Sequence, residues 1–458
     1  MYTTKRYEDG FMSIAINADG YPVARRLNRH DYKTLTLSSL GGTLEFYDFV
    51  IYALYIETIV KPLFLPSDIS PLIADLFAWG GFAAGYIARP IGGVIMAHFG
   101  DVLGRKKMFT LSVAMMALPT FIIGLLPTYA QIGMFAPILL VIMRMFQGAA
   151  IGGEMPGAWV FIAEHTPKNR SGLGIGVLTS GISGGILLGF LVSIMIDLNY
   201  SKAEILSYAW RIPFIAGGVF GIIAVYLRRY LSETPIFQEM SETKSLSKEI
   251  PVMTVLKRHK IACVIVGLLT WSLSTTIMIG ILITPVAILG KMYGMEPLNA
   301  RIAGSIAALS LSFGCIFWGF MEDQLKTRLN MVLSWGGLAL SSLYFYYSLT
   351  RGISLEMIYF NYAVMGFFAG AATTPPIIGT RVFPPAVRYS GLSFSYNLAY
   401  AIFSAITPMF TLYLLGITPM GAGIYIVGIS MLAILVSFYP LSYKGWTAPV
   451  ESKFTEVA

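Results

Sequence analysis

Long apolar stretches recur along the whole chain and are separated by short polar turns. A helix needs about 20 apolar residues to cross a bilayer, and windows of that length detect twelve stretches. They cover residues 35–59, 72–99, 108–126, 133–163, 172–196, 210–230, 261–289, 302–321, 331–349, 357–380, 391–415 and 421–441. The pattern predicts an all-α integral membrane protein with twelve transmembrane helices.

Short motifs recur in the two halves of the chain. Asp101 follows the second span as Asp323 follows the eighth, and Arg170 follows the fourth as Arg388 follows the tenth. Two motif pairs at nearly the same spacing indicate an internal repeat of two six-helix bundles. The predicted domains are an N-terminal tail at 1–33, a bundle at 34–230, a polar loop at 231–260, a second bundle at 261–442 and a short tail at 443–458.

The composition also indicates a membrane protein. Hydrophobic residues make up 56% of the chain and charged residues 12%, and the mean hydropathy is +0.69. Such a chain lacks the polar residues that a water-facing surface needs. The net charge of +8 does not indicate a nucleic-acid partner, because the basic residues are dispersed over short loops. Most of them lie on the side of the two termini, which predicts cytoplasmic termini. We expect a monomer in a lipid bilayer.

Several motifs along the chain carry a family resemblance. They are GGTLEFYDF at 41–49, ARPIGG at 88–93, GDVLGRKK at 100–107, RMFQGAAIGGE at 144–154, AWRIPF at 209–214, YLSETPIF at 230–237 and FPPAVRYSGLSFSYN at 383–397. Together they resemble the metabolite:proton symporter family of the major facilitator superfamily, which includes proline/betaine, alpha-ketoglutarate, shikimate and citrate transporters. The resemblance implies a major facilitator fold, alternating access, and proton-coupled transport across a bacterial inner membrane.

Two positions depart from the pattern of that family. Phe46 stands where the family commonly has Trp, and Gly153-Glu-Met-Pro-Gly157 replaces a segment such as Gly-Glu-Tyr-Thr-Gly. Proline inside a helix removes one backbone hydrogen bond, so we expect Pro156 to disturb the fourth helix locally.

Five ionisable residues are expected deep in the first six spans: Glu45, Asp48, Glu154, Arg89 and Arg144. A charge inside a membrane span is costly, so it faces a cavity, pairs with an opposite charge or binds a proton. We interpret the three carboxylates as proton-coupling candidates, without choosing between them. The two arginines are candidate charge partners or substrate ligands, and so is Gln147, which shares a helix face with Arg144. A salt-bridge network that only stabilises the fold predicts the same residues.

The last six spans contain polar and aromatic side chains but no ionisable group deep in the membrane. Together with a tyrosine of the first span, they supply the candidates for a substrate cavity: Tyr52, Trp271, Asn361, Tyr396, Asn397 and Tyr400. Taken singly, such residues also serve as packing contacts between helices.

A charged hairpin joins the second and third spans. Gly-x-x-x-Asp-x-x-Gly-Arg-Lys is the signature of the superfamily at this place, and here Ala97 replaces the first Gly. With its repeat in the second half, the hairpin defines candidates for a cytoplasmic gate: Asp101, Gly104, Arg105, Asp323, Arg328, Arg170 and Arg388.

No motif indicates an enzyme. A Gly-x-x-x-x-Gly-Lys-Ser/Thr loop is missing, so ATP is not expected as the energy source. The four histidines are scattered and have no metal-ligand spacing. We expect no cofactor and no metal, with the proton as the coupling ion.

The expected function is import of a small polar metabolite together with protons. An organic acid is favoured, because arginine binds carboxylates through two parallel hydrogen bonds. Aromatic side chains keep a proline- or betaine-like zwitterion open as an alternative. A proton-linked exporter is a further alternative, and a nutrient sensor without transport fits least.

Overall fold

The computed structural model describes residues 27–443 except 104, 229 and 231–250, and some side chains on its helices lie outside this description, those of Glu45, Trp79, Asp101 and Arg105 among them. Twelve main helices follow one another along the described residues. They are α1 Arg29–Tyr55, α2 Pro71–Leu103, α3 Arg105–Leu125, α4 Phe135–His165, α5 Ser171–Asn199, α6 Arg211–Arg228, α7 Lys260–Ile277, α8 Pro297–Gln324, α9 Thr327–Leu349, α10 Leu355–Ala369, α11 Arg388–Ile417 and α12 Gly421–Val436.

Three of these helices continue with a changed hydrogen-bond pattern. α1 runs on as a π-helical turn at Ile56–Val60, α7 as a π-helix at Met278–Met292, and α10 through a 3-10 turn at Gly370–Thr373 into Thr374–Val382. The remaining short helices are Lys61–Phe64, Tyr129–Ile132, Lys168–Arg170, Lys202–Glu204, Ile205–Ala209, Pro251–Arg258 and Pro385–Val387.

Helix α1 begins earlier than the sequence pattern predicts. The side chain of Asn28 accepts a hydrogen bond from the Asp31 amide at 2.9 Å, and the Asp31 carboxylate accepts one from the Asn28 amide at 2.8 Å. This reciprocal cap fixes the helix start at Arg29, inside the predicted tail. The predicted loop at 231–260 likewise contains a helix at Pro251–Arg258.

Five described helical segments are long and apolar enough to cross a membrane, and six if the pair Lys202–Ala209 and Arg211–Leu227, bent by 45°, is one span. Helices α3 and α12 contain shorter apolar segments, at Thr110–Leu125 and Gly421–Val436. Large apolar side chains such as Leu340 and Met409 are exposed on the protein surface. An apolar exterior of this kind suits contact with lipid rather than water.

The helix packing repeats between the first six and the last six helices. In the first half α1 packs on α5, α2 on α4 and α3 on α6; in the second half α7 packs on α11, α8 on α10 and α9 on α12. The two halves meet through α5 against α8 and α2 against α11, which are equivalent pairs under the repeat. We call the end of the bundle at which α1 begins and α12 ends the terminal side.

Helices α2 and α4 approach each other through the glycines Gly148 and Gly152 of α4. A β-carbon at Gly148 would overlap the carbonyl oxygen of Gly85, and one at Gly152 would overlap that of Arg89. Small residues let membrane helices pack backbone against backbone. The close approach fixes the depth at which α2 and α4 present their charged residues.

Replacing Gly148 with alanine is expected to destabilise the protein although alanine favours helix formation. The added methyl group meets backbone that cannot rotate away, and overpacking of this kind costs about 1–3 kcal/mol. Thermal unfolding of the purified protein measures the effect. Gly80→Ala is the matched control, because Gly80 lies on α2 with no atom near its missing β-carbon. Equal melting temperatures for the two variants would contradict the proposed packing.

Candidate functional site

Asp48 lies deep in the first half, where α1, α3, α4 and α6 meet. Its side chain is 1% exposed, and neither carboxylate oxygen accepts a hydrogen bond of good geometry. The hydroxyl-bearing side chain of Thr120 on α3 lies beside it, and Gly217 on α6 leaves the space that the carboxyl group occupies. No cation of the described residues forms an ion pair with Asp48, which favours its neutral form in an apolar surrounding.

A line of polar groups leads from Asp48 to Arg144. The Gln147 amide donates to the Thr120 hydroxyl at 2.6 Å, and the Arg144 guanidinium donates to the Gln147 side-chain oxygen at 2.8 Å. All of these side chains are fully buried. The guanidinium of Arg144 lies over the ring of Tyr52, 4.2 Å from its centre, which is a favourable cation–π geometry.

Glu154 occupies a separate position in the first half. The hydroxyl of Ser112 on α3 donates to its carboxylate at 2.6 Å. The residue also lines a small cavity between α1, α3, α4 and α5, together with Gly42, Phe46 and Met116. Glu154 and Asp48 thus have different polar surroundings, although both are proton-coupling candidates from the sequence.

Arg89 is buried at the interface between the halves. Its guanidinium lies 4.2 Å from the ring centre of Tyr400, 5.5 Å from that of Tyr396 and 5.6 Å from that of Tyr86. It donates to the Tyr396 hydroxyl at 3.5 Å, and its Nε atom has no partner. No carboxylate of the described residues forms an ion pair with Arg89. A buried cation whose described partners are aromatic rings and one hydroxyl group retains an unsatisfied preference for an anion.

Pro156 lies inside α4, which continues as an α-helix on both sides of it. A proline at this position has no N–H for the carbonyl of Gly152, four residues earlier. The Asn397 amide from α11 donates to that carbonyl at 2.6 Å, so the other half supplies the missing hydrogen bond. A neighbouring helix often satisfies a carbonyl freed by proline in a membrane helix.

Two more hydrogen bonds support the same junction. The Tyr389 hydroxyl donates to the Gly153 carbonyl at 2.7 Å, and the Ser393 hydroxyl donates to the Gly93 carbonyl at 2.9 Å. Together with Asn397, one face of α11 binds three backbone carbonyls of α2 and α4. We call these three contacts the carbonyl latch.

Charged contacts join the halves on the terminal side of the latch. Arg388 pairs with Glu164 at 3.0 Å, and both side chains are fully buried. The carboxylate of Asp323 accepts hydrogen bonds from the amides of Gly172 and Leu173, each at 2.8 Å. These amides belong to the first turn of α5, where a negative charge is stabilised by the helix dipole. The contacts close the interface on this side.

At the opposite end of the bundle, Asp197 of α5 forms an ion pair with Arg301 of α8. Both side chains are partly exposed, so this pair is worth less than the buried one on the terminal side.

Three predicted site residues make contacts within the second half. Arg328 is exposed, packs over the Phe438 ring and approaches the Ser437 carbonyl, because α9 begins beside the end of α12. Its role in a cytoplasmic gate stays a prediction, and the contacts described here are all within the second half. Trp271 and Asn361 were predicted to line a cavity, but Trp271 stacks on Phe403 and donates to the Tyr425 hydroxyl.

Asn361 donates to the Ser348 hydroxyl at 3.2 Å, so its amide serves the contact between α10 and α9. Arg170 is half-buried immediately before α5, next to the amides that bind Asp323. The side chains of Glu45, Asp101 and Arg105, as well as Gly104, lie outside the described residues.

Sequence reasoning missed several partners in the site. Thr120, Ser112 and Glu164 belong to this group, and so does the buried ion pair between Glu322 and Arg381, 2.5 Å apart. Glu322 directly precedes Asp323, so a second acid at the end of the eighth span was a signal that the pattern contained. Single hydroxyl groups on apolar helices gave no comparable signal.

Two six-helix units that share buried charged and polar groups at their interface define the class of secondary membrane transporters. The family model of the Major Facilitator Superfamily matches residues 40–388, and the chain belongs to this superfamily. The twelve-helix fold expected from the apolar pattern is thereby confirmed, and so is a transporter rather than an enzyme.

The most similar relatives include bacterial transporters that align over most of both chains. A protein of Staphylococcus aureus (strain MSSA476) named for proline/betaine transport is 30% identical over 425 residues, covering 90% of this chain and 89% of the relative. The inner membrane metabolite transport protein YhjE of Escherichia coli (strain K12) is 30% identical, with 88% and 93% covered. The shikimate transporter of the same strain is 30% identical, with 83% and 89% covered. The family resemblance of the motifs is confirmed.

Solved structures show the same fold at lower identity. The proton:xylose symporter XylE bound to 6-bromo-6-deoxy-D-glucose aligns with a TM-score of 0.73 and 16% identity, covering 93% of this chain and 99% of that one. The inward open conformation of the xylose transporter XylE from E. coli aligns with a TM-score of 0.60 and 16% identity, with 89% and 95% covered.

The Asn397→Ala variant is expected to open the interface on the terminal side. Removing the Asn397 amide leaves the Gly152 carbonyl with only a long contact, at 3.4 Å, from the Ser393 hydroxyl. Losing the short hydrogen bond in an apolar surrounding costs about 1–3 kcal/mol, which disfavours the closed state. Spin labels at the exposed positions Lys107 and Lys326, one in each half, report the separation by pulsed electron resonance in a cysteine-free background. We expect a larger population at long distance.

Asn361→Ala is the matched control, because that asparagine bonds within the second half. A second variant, Pro156→Ala, restores an N–H that can bind the Gly152 carbonyl within α4. In this background the closed state should depend less on Asn397. Identical distance distributions in Asn397→Ala and the unmodified protein would show that the latch does not hold the closed state.

Proposed function

We propose that this transporter imports a small organic acid together with protons by alternating access. The proposed location is the bacterial inner membrane, with both termini in the cytoplasm. The terminal side of the bundle then faces the cytoplasm, and the contacts that close it correspond to a state with access from outside. Membership of the superfamily and the names of its relatives support a transporter of small molecules.

The proposed substrate class is inferred from the surroundings of Arg89. This cation is buried at the interface between the halves and has no anion among its described neighbours. A substrate carboxylate would supply the missing charge and could bind the guanidinium through two parallel hydrogen bonds. Because Tyr86 belongs to the first half and Tyr396 and Tyr400 to the second, a substrate at this place would contact both moving units.

Asp48 is the proposed carrier of the coupled proton. The neutral form of Asp48 fits its buried, uncharged surroundings. The ionised form would need stabilisation by Thr120, Gln147 and Arg144, the polar groups that follow it. Loading a proton on one side of the membrane and releasing it on the other requires a carboxyl group with two such environments. Glu154, which is bound by Ser112, and Glu45 remain alternatives for the same role.

A zwitterion such as proline or betaine is the second candidate substrate. The three tyrosine rings around Arg89 favour it, because aromatic faces bind quaternary ammonium groups while the arginine binds the carboxylate. The relatives named for proline/betaine transport point in the same direction. An exporter that uses the proton gradient in reverse shares the same site.

The purified protein in liposomes that contain a pH-sensitive dye tests the proposal directly. Pools of organic acids, zwitterions and neutral sugars are added outside in turn. Internal acidification by the organic acid pool alone is the expected result. Acidification by the zwitterion pool alone would replace the first candidate by the second, and silence from every pool would overturn proton-coupled import.

Replacing Asp48 with asparagine is expected to separate transport from its driving force. Asparagine keeps the shape of the carboxyl group but cannot bind or release the proton. Accumulation of the active pool against its gradient should fall at least tenfold, while exchange of labelled for unlabelled substrate continues. The parallel Glu154→Gln variant serves as comparison. Unchanged accumulation in Asp48→Asn would remove this residue from the coupling mechanism.

A further inference from the structure

The hydroxyl group of Thr120 stands between two groups that can accept its single proton. It donates to the carbonyl of Met116 at 3.0 Å, within its own helix, and Asp48 lies beside it. Its oxygen accepts from the Gln147 amide at 2.6 Å, so the lone pairs are engaged from the α4 side. A hydroxyl donates only one hydrogen bond at a time, so donation to Met116 leaves none for Asp48.

The observed arrangement matches a neutral Asp48. An ionised carboxylate is a stronger acceptor than a backbone carbonyl, because hydrogen bonds to charged groups are roughly twice as strong. Ionisation of Asp48 would therefore draw the Thr120 proton away from Met116 by a rotation about a single side-chain bond. This rotation about the Cβ–Oγ bond also reorients the lone pairs of the hydroxyl oxygen, so the Gln147 amide must shift to keep its hydrogen bond.

Gln147 transmits this rotation because both ends of its amide are engaged. Its nitrogen donates to Thr120, and its oxygen accepts from Arg144. A shift of the amide therefore changes the position of the guanidinium over the Tyr52 ring. Tyr52 in turn donates to the Ala78 carbonyl of α2, the helix that carries Arg89.

We propose that Thr120 and Gln147 are positioning residues that couple the protonation of Asp48 to the placement of Arg144. This relay rests on the proposed function, in which Asp48 carries the proton. It adds a residue, Thr120, whose hydroxyl selects between a helix carbonyl and the carboxylate according to the charge of the latter. Gly217 permits the arrangement, since a β-carbon there would overlap the Asp48 carboxylate.

The other groups around Asp48 are consistent with this assignment. Tyr47, next to it on α1, donates its hydroxyl to the Pro213 carbonyl of α6. α5 faces this part of α1 with Gly185, which brings no charge. From α3 and α6, Thr120 and Gly217 are the uncharged neighbours.

One charged side chain of the described residues joins this environment through the polar line. Arg144 on α4 is reached through Gln147. Glu45 lies three residues before Asp48 on α1, and its side chain is outside the described residues.

Infrared difference spectroscopy of the purified protein tests the relay without a substrate. The carboxylic-acid C=O band that is lost in Asp48→Asn belongs to this residue, and its intensity is followed from acidic to alkaline pH. In Thr120→Val, which keeps the shape but has no hydroxyl, the midpoint should rise by about one pH unit, a tenfold gain in proton affinity. Thr120→Ser should restore the original midpoint.

A second variant, Gln147→Leu, keeps the hydroxyl but breaks the link to Arg144. In this variant the midpoint of the Asp48 band titration should rise less than in Thr120→Val. In the double variant with both substitutions, the midpoint should rise by less than the sum of the two single shifts. An unchanged midpoint in folded Thr120→Val overturns the relay while leaving Asp48 as the proton carrier. If instead no band disappears in Asp48→Asn and none titrates, the proposed proton site itself fails. Should Thr120→Val not fold, the midpoint in Gln147→Leu decides, and no shift there rejects the relay.

Discussion

The carbonyl oxygen of Gly152 lies in a membrane helix that cannot satisfy it. Pro156 lacks the N–H that would bind it, and no water is available in an apolar interior to replace that donor. The Asn397 amide of the opposite half binds it instead. One missing hydrogen bond within α4 thus becomes an attraction between the two halves. The Tyr389 and Ser393 hydroxyls add hydrogen bonds to the neighbouring carbonyls of Gly153 and Gly93. The closed terminal side depends on this exchange of partners.

The close packing of α2 and α4 makes the latch effective. Because Gly148 and Gly152 allow the two backbones to touch, the carbonyls of Gly93 and Gly152 come within reach of one face of α11. Arg89 is carried on the same α2 segment and faces the tyrosines of α11. The groups that join the halves and the proposed substrate ligand therefore belong to one rigid pair of helices, so that binding and closure are mechanically connected.

Much of the fold could be predicted from the sequence, because twelve apolar stretches and two recurring motif pairs are properties of the chain alone. The burial of Asp48, Arg89 and Arg144 followed from their places in apolar spans. Their partners did not, since contacts such as Arg388 with Glu164 join residues 224 positions apart. The contacts of Arg328 could not be predicted for a related reason: the repeat predicts equal roles for equivalent loops and does not show that this residue packs against Phe438.

The carbonyl latch is built from groups that carry no net charge. A membrane voltage does work only on charge that is displaced across the bilayer, about 2.3 kcal/mol for each elementary charge at 100 mV. Opening or closing three neutral hydrogen bonds therefore costs the same in an energised cell as in a depolarised one. In a carrier of the proposed kind, voltage sensitivity would then come from the proton, the substrate and the charged residues that move with them.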